Sequence, residues 1–234
     1  MKEVSIIIPV YNEEESIREL YEGIMDLKLE DMELIFIDDG STDSTLKQLK
    51  KLKDVKIIQM KENIGKSHAL TEGFKLAQGK KIMMLDGDLQ DDPKDIPKFL
   101  ARLDDVEFVI GWRKYRKDSK SKVFVSKVIY NRLNKIFFGL DLHDANCGMK
   151  AMKSHCKPYA MLGSGMHRYL PFIMFANGFF IDECIVTHHK RKYGKSKYGL
   201  SRLAKGFIDM LVMALYLKRF SIGSWNVKEI TNGK

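Results

Sequence analysis

Residues 81–90 read KIMMLDGDLQ, an apolar run of one strand's length followed by two carboxylates that a single glycine separates. Near-continuous apolar residues such as 82–85 are typical of a strand that is covered on both faces of a sheet. Side chains at positions i and i+2 of an extended segment point to the same side, so Asp86 and Asp88 are expected to face one ligand. The segment predicts a buried strand with a polar site at its carboxyl end.

The same pattern occurs twice earlier in the chain. Residues 4–8 (VSIII) precede the polar cluster 11–13 (YNE), and residues 33–37 (ELIFI) precede the cluster 38–41 (DDGS). A further strand is predicted at 55–60, and helical periodicity separates the strands, at residues 14–27, 42–53 and 66–77. Strands that alternate with helices of this length predict βαβ units, and therefore an α/β fold with a central, mostly parallel sheet flanked by helices.

The polar clusters at the strand ends are expected to meet. In a parallel sheet the carboxyl ends of neighbouring strands lie at one edge, which is where ligands bind. If the strands are neighbours, the clusters 11–13, 38–41 and 86–88 therefore converge on one crevice.

The second half of the sequence is more basic and less regular. Residues 114–122 carry no apolar core signal, a helical segment follows to residue 138, and residues 178–187 predict another strand. A basic, glycine-containing loop at 188–198 precedes an amphipathic helix predicted at 200–219.

The composition indicates an anionic partner and a reducing compartment. The net charge of +9 is compatible with nucleic acid, phosphorylated small molecules or an acidic membrane surface. The three cysteines, Cys147, Cys156 and Cys184, have no recognised metal spacing and cannot all pair. We find no signal peptide and no run approaching about 18 apolar residues, so we expect a chain that does not span a bilayer by itself.

The Asp86-Gly87-Asp88 segment predicts a metal site. Two carboxylates, with Gln90 as a further oxygen donor, suit a hard divalent cation that shares its coordination with substrate phosphates. The alternative is a solvated turn before a helix, in which Asp92 acts as the N-cap.

Asp38 and Asp39 end the second predicted strand and have two possible roles. A carboxylate there can accept hydrogen bonds from a ribose or a base, or it can cap the helix that begins near Thr42. The first strand is followed by Pro9-Val10-Tyr11-Asn12 instead of a Gly-x-Gly-x-x-Gly turn, which argues against a dinucleotide cofactor, and no P-loop pattern is present.

Taken together, these segments resemble glycosyltransferase family 2, which has the Rossmann-like GT-A fold. The resemblance rests on residues 8–13 (IPVYNE), 38–41 with Asp43, and the Asp86-x-Asp88 pair. Further segments resemble the polyprenyl-phosphate sugar synthases within this family, which include dolichol-phosphate mannose synthase: 88–93 (DLQDDP), 111–113 (GWR), 144–150 (DANCGMK), 168–171 (RYLP) and 188–198 (HHKRKYGKSKY).

The resemblance implies roles for the matching residues. The catalytic group would comprise Asp86, Asp88, Arg113 and Arg191. The nucleotide-sugar pocket would comprise Pro9, Tyr11, Glu13, Asp38, Asp39, Lys66 and Asp86. The phosphate of the acceptor would meet Arg113, Arg191, Ser196 and Lys197. The metal, Mg²⁺ or Mn²⁺, would be held by Asp86, Asp88 and Gln90.

The activity implied is inverting transfer of a hexose-type sugar from a UDP- or GDP-sugar to a polyprenyl monophosphate. A phosphate acceptor is already anionic at neutral pH, so it needs cationic contacts and not a strong base. We expect a catalytic domain over residues 1–199, with a nucleotide-sugar half (1–115) and an acceptor half (116–199), followed by an amphipathic helix and polar tail (200–234).

Two other functions are weighed against this one. A family 2 enzyme that glycosylates a polysaccharide, a protein or a small acceptor would need a catalytic base, for which Asp144 or the Asp182-Glu183 pair is a candidate. A non-catalytic nucleic-acid-binding module would use the +9 charge, but aromatic residues are not interleaved with the basic ones, and we expect no nucleic-acid partner.

The C-terminal helix is expected to rest on an anionic membrane. Apolar residues recur along one face at helical spacing, namely Leu203, Phe207, Met210, Leu211, Ala214 and Leu217. The alternative is that this face packs on the core of the domain. We expect a cytoplasmic enzyme that is peripheral on the cytoplasmic face of a membrane.

Overall fold

The structure, a computed structural model, describes residues 2–115, 132–161, 163, 165–193, 209–215 and 217. The strands in these ranges are β1 Val4–Val10, β2 Met32–Asp38, β3 Val55–Gln59, β4 Lys81–Met84, β5 Phe108–Trp112, β6 Lys150–Lys153 and β7 Ile181–Ile185. The α-helices are α1 Ile17–Met25, α2 Thr45–Leu49, α3 Lys66–Leu76, α4 Ile96–Arg102, α5 Arg132–Phe138 and α6 Leu170–Ala176. Short 3₁₀ helices lie at Pro93–Asp95, Ser154–Ala160 and Met166–Arg168.

The strands form a single sheet of order β3-β2-β1-β4-β6-β5-β7. All neighbouring pairs are parallel except those that involve β6, which runs antiparallel between β4 and β5. The prediction of a mostly parallel sheet flanked by helices is confirmed. The antiparallel strand is an addition, because nothing local in residues 150–153 indicates which strands they will join.

The core is built from the predicted apolar strands and from one face of each flanking helix. Ile6, Ile7 and Ile8 in β1 are fully buried, because helices cover both faces of a parallel sheet. Each such side chain contributes about 1.5–3 kcal/mol by leaving water. Gly73 in α3 permits the closest helix–sheet approach, since a Cβ there would lie 2.5 Å from Ile7 Cγ2. Gly73→Ala would therefore push α3 away from β1.

Part of the predicted apolar face of the C-terminal helix is buried, whereas Leu211 on the same face is exposed. Residues 209–215 and 217 are helical, and Met210, Ala214 and Leu217 are buried in the same core as the sheet. The expectation was wrong for these three residues, because helical periodicity marks an apolar face without stating what covers it. Leu203 and Phe207 lie outside the described residues. Within the described ranges, each helix is too short or too polar to span a bilayer.

Candidate active site

The polar clusters at the ends of β1, β2 and β4 converge, as predicted. The backbone N–H of Asn12, after β1, donates to Ser41 Oγ, after β2, at 3.0 Å. The hydroxyl of Ser16 donates to the Gly87 carbonyl oxygen, after β4, at 2.6 Å. Gly87 packs closely, since a Cβ there would lie 2.7 Å from Val10 Cγ1. The three strand ends therefore line one crevice.

Asp86 and Asp88 lie at the centre of this crevice, and each is bound by a cation from another part of the chain. Lys66, the first residue of α3, donates to Asp86 Oδ1. Arg191, six residues after β7, donates to Asp88 Oδ2. Asp86 also lies directly over the backbone of Gly148, where a Cβ would come within 2.6 Å of Asp86 Oδ2. The position of Asp86 thus requires glycine at 148.

The pKa values of Asp86 and Asp88 are shifted in opposite directions. Burial acts to raise the pKa of Asp86, but the charge and the hydrogen bond of Lys66 outweigh it, and the pKa lies below its ordinary value. Burial raises the pKa of Asp88, and repulsion from Asp86 adds to this despite the attraction of Arg191. Asp86 is therefore held as an anion, while the charge of Asp88 remains under-compensated.

This pair fits a divalent cation. Among the described residues no cluster of three or more His, Cys, Asp or Glu groups has metal-binding geometry. Mg²⁺, however, is usually held by one or two carboxylates, with phosphates and water completing its shell. Asp86 and Asp88 match that requirement, and the amide oxygen of Gln90 as a further ligand stays a prediction. A cation between the carboxylates would also remove the repulsion that raises the pKa of Asp88.

The segment that carries Arg191 is anchored on the loop after Asp88. The N–H of His189 donates to the Gln90 carbonyl oxygen at 2.8 Å, and the His189 ring lies 3.1 Å from Asp92 Oδ2. Arg191 then reaches Asp88 and lies 3.5 Å from Glu13 Oε1. The structure thereby brings Glu13 and Arg191 to the carboxylates that are predicted to bind the metal. Ser196 and Lys197 lie outside the described residues.

The predicted nucleoside residues occupy the β1 and β2 side of the crevice. Asp39 accepts backbone hydrogen bonds from Ile64 and Gly65 at 3.0–3.3 Å, so it also fixes the start of α3. Asp38 Oδ1 accepts from the Ser41 N–H at 2.9 Å, whereas its Oδ2 is buried without a partner in the described part of the chain.

The remaining predictions for this side of the crevice concern Pro9, Tyr11 and the helix caps. Pro9 borders the crevice beside Asp86. Tyr11 is half-buried, and its role in nucleoside binding stays a prediction. Asp92 does act as an N-cap, accepting from the Lys94 N–H at 3.0 Å. The helix after β2 begins at Thr45, and neither Asp38 nor Asp39 is its cap.

Arg113 is placed differently from Arg191. It forms a two-pronged pair with Asp144, with Nε to Oδ2 at 2.7 Å and Nη2 to Oδ1 at 2.9 Å. The predicted contact of Arg113 with phosphate stays a prediction. Asp144 is thereby committed to Arg113. The other candidate bases are also engaged, Asp182 by Arg102 and Glu183 by His143.

Three residues near the site, of which Lys150 and Asp91 are buried and His167 is half-buried, were not predicted. Lys150, at the start of β6, lies beside Asp86, and burial together with repulsion from Lys66 lowers its pKa to about 8. His167, which we would place on the surface or in a structural role, lies 2.7 Å from Ser67 Oγ, and burial holds its pKa well below the ordinary value. Asp91 is buried with Oδ1 unpaired in the described part, and burial raises its pKa to about 7. The run of three aspartates within residues 88–92 was the available signal for Asp91.

Comparison with known proteins gives the family. Residues 5–156 match the model of glycosyl transferase family 2. A dodecaprenyl-phosphate galacturonate synthase of Rhizobium johnstonii is 34% identical over 231 residues, which cover 92% of this chain and 68% of the relative. An undecaprenyl-phosphate 4-deoxy-4-formamido-L-arabinose transferase of Proteus mirabilis is 32% identical over 220 residues, which cover 90% of this chain and 67% of the relative.

Solved structures show the fold. Glucosyl-3-phosphoglycerate synthase of Mycobacterium tuberculosis in complex with uridine diphosphate has a TM-score of 0.72 at 19% identity, with 92% of this chain and 80% of that chain covered. That synthase has also been solved with Mn²⁺ or Mg²⁺ together with uridine diphosphate. The predicted GT-A fold is confirmed. With the carboxylate pair at the end of β4 and the family match over most of its length, this chain belongs to glycosyltransferase family 2.

Proposed function

We propose that this glycosyltransferase moves a sugar from a UDP- or GDP-sugar to a polyprenyl monophosphate, with inversion at the anomeric carbon. The observation that carries the proposal is the contact between Arg191 and Asp88. It brings an arginine from the basic segment after β7 onto the carboxylate that we propose as a metal ligand. An anionic acceptor bound by Arg191 would therefore lie next to the leaving diphosphate.

The residues of the crevice suit this reaction. When bound at Asp86, Asp88 and Gln90, Mg²⁺ or Mn²⁺ would neutralise charge on the leaving diphosphate. Asp86, kept anionic by Lys66, lies where a fixed negative charge favours an oxocarbenium-like sugar carbon. The guanidinium of Arg191 can bind a phosphate through two parallel N–H groups.

A neutral acceptor would need a catalytic base, and the candidate bases are already engaged in other interactions. Asp144, Asp182 and Glu183 are each held by a cation or by hydrogen bonds, as described above. A polyprenyl phosphate needs no such base, because its oxygen is already negatively charged. The names of both relatives, which act with dodecaprenyl phosphate and undecaprenyl phosphate, support the same acceptor class.

We further propose that the enzyme works at the cytoplasmic face of an anionic membrane. Three free cysteines fit a reducing compartment. The outward face of the C-terminal helix carries Leu211, Val212 and Leu215, which are exposed. The lipid tail of the acceptor must remain in the bilayer while its phosphate reaches Asp88, and an apolar surface of this kind favours that approach.

The activity is tested with a panel of UDP- and GDP-sugars, Mn²⁺ and undecaprenyl phosphate. We expect a donor to raise the melting temperature only when metal is present, and its sugar to be transferred to the lipid phosphate. The matched acceptor control is undecaprenol, which lacks the phosphate and should accept no sugar. Equal transfer to undecaprenol, or donor binding that is unaffected by excess chelator, would contradict the proposal.

Membrane contact is tested separately by flotation with anionic and neutral liposomes. We expect the chain to float with anionic vesicles at low salt, and to lose this binding when Leu211 and Leu215 are both replaced by serine. Leu76→Ser, at an exposed leucine on α3, is the matched control. Binding that persists in the double variant would exclude this helix face as the contact.

A further inference from the structure

A small cavity lies beside the Asp86 carboxylate. Its polar lining is formed by Lys66 from α3, Lys150 from β6 and His167 from the 3₁₀ helix before α6, together with Asp86 itself. The volume is about 10 Å³, which is room for one water-sized group. A single oxygen of an anionic group fits such a space, whereas a whole phosphate group does not.

The lining carries more positive than negative charge. Lys66 and Lys150 are cations, and Asp86 is the single anion among the lining residues. Arg168 adds a third cation close enough to act on His167. Lys66 already donates to Asp86, so Lys150 is the cation that has no carboxylate of its own among the lining residues.

Lys150 is the most unusual member of this group. It is 5% exposed, and its ammonium group has three N–H donors. In the described part of the chain its hydrogen-bond partner is the Cys147 carbonyl oxygen, which uses one of them. A buried cation with unused donors is unfavourable unless an anion completes its surroundings.

We propose that the cavity receives the carboxylate of an acidic donor sugar, and that Lys150 is the residue that selects a hexuronate over the corresponding hexose. The inference rests on the proposed function, which brings the donor sugar next to Asp86. Gly148 contributes by leaving the space above its backbone to the Asp86 carboxylate, which a side chain at this position would displace.

The test compares UDP-galacturonic acid with UDP-galactose, which differ in a carboxylate against a hydroxymethyl group. Binding with Mn²⁺ is measured by calorimetry, and kcat/KM is measured with undecaprenyl phosphate. We expect wild type to prefer the hexuronate by about tenfold or more, which is the size of a charge-assisted hydrogen bond. Lys150→Met should reduce this preference ratio by about the same factor. Lys153→Met is the matched control, because Lys153 lies on the same strand and pairs with Glu107 instead.

The outcomes separate the inference from the proposed function. A wild-type preference for the hexose, or an unchanged ratio in Lys150→Met, would overturn the inference while the transferase activity stands. If Lys150→Met weakens UDP alone as much as UDP-galacturonic acid, the lysine serves the diphosphate and the inference is also overturned. Failure to bind or transfer any nucleotide sugar would overturn the proposed function, and the inference with it.

Discussion

Two arginine–carboxylate pairs follow the neighbouring strands β5 and β7, and they differ in geometry. Arg113 and Asp144 share two short hydrogen bonds, and their side chains are 14% and 5% exposed. Arg191 divides its nitrogens between Asp88 and Glu13 and is 23% exposed. We call Arg113–Asp144 the closed pair, because two hydrogen bonds join the same two side chains. We call Arg191 with Asp88 and Glu13 the open pair, because neither carboxylate holds the guanidinium through two bonds, and we expect this pair to be the one that a ligand displaces.

The largest effect on turnover is expected at Asp88, the carboxylate that Arg191 contacts in the open pair. Asp88→Ala removes a proposed metal ligand, and we expect turnover to fall about a thousandfold or more, roughly 4 kcal/mol of transition-state stabilisation. Steady-state rates with Mn²⁺ measure this. Asp104→Ala, which removes a surface carboxylate paired with Lys81, should retain metal-dependent activity. Near-normal turnover of Asp88→Ala, or full wild-type activity in excess chelator, would exclude the metal role.

Breaking the closed pair of Arg113 and Asp144 should lower the free energy of unfolding. Asp144→Ala leaves the Arg113 guanidinium buried without its partner, and we expect a loss of about 3 kcal/mol in the free energy of unfolding. Urea denaturation measures the change. Arg102→Met is the control, because Arg102 pairs with Asp105 and Asp182 at the surface and should cost less than about 1 kcal/mol. Equal losses in both variants would remove the distinction between the two kinds of pair.

Removing the arginine of the open pair should act on transfer. Arg191→Gln is expected to slow transfer to polyprenyl phosphate by about 2 kcal/mol, the cost of one charge-assisted hydrogen bond. Hydrolysis of the donor by water should fall less, because water needs no phosphate clamp. Lys192→Gln, at the exposed neighbour, serves as control. If transfer and hydrolysis of Arg191→Gln fall equally, the arginine serves the donor or the fold.

Asp91 interacts electrostatically with residues of both pairs, so its titration gives a pH-dependent test of the comparison. Burial raises its pKa to about 7, Arg113 opposes this, and Asp86 and Asp88 add to it. The folded protein therefore binds a proton more readily than the unfolded chain, whose carboxyl keeps a pKa near 3.8. Stability should fall as pH rises from about 4 to 7, by at most about 1.4 kcal/mol per pH unit. Asp91→Asn should abolish this slope in unfolding measurements between pH 4 and 8, and an unchanged slope would place the titration elsewhere.

Much of the first half of the molecule could be predicted from sequence, for a local reason. In β1, β2 and β4 the apolar run and the polar cluster that follows it are adjacent in the chain, so both the strand and its ligand-binding end are visible together. Asp86 and Asp88 were found in this way. Their convergence with the 38–41 cluster follows from parallel pairing alone.

The remaining features depend on distant segments. Lys150 and His167 reach Asp86 from 64 and 81 positions further along the chain, and the segments 144–150 and 168–171 beside them do not show from sequence that the two residues meet Asp86. The pairing of Arg113 with Asp144 closes a separation of 31 residues. The C-terminal helix shows the same limit, because the spacing of Met210, Ala214 and Leu217 is equally compatible with lipid and with the core that buries them.

The antiparallel strand β6 has a consequence for how the chain folds as it is made. Strand β5 reaches the rest of the sheet through β6, so β5 cannot join β1–β4 until residues 150–153 have been synthesised. Until then the free edge of β4 offers unpaired backbone groups to other chains. Lys150 is the first residue of β6, and the loop before it brings Gly148 to Asp86. Closing the sheet at β6 therefore also adds one wall of the crevice, and a ribosome-bound chain that stops short of β6 lacks this wall.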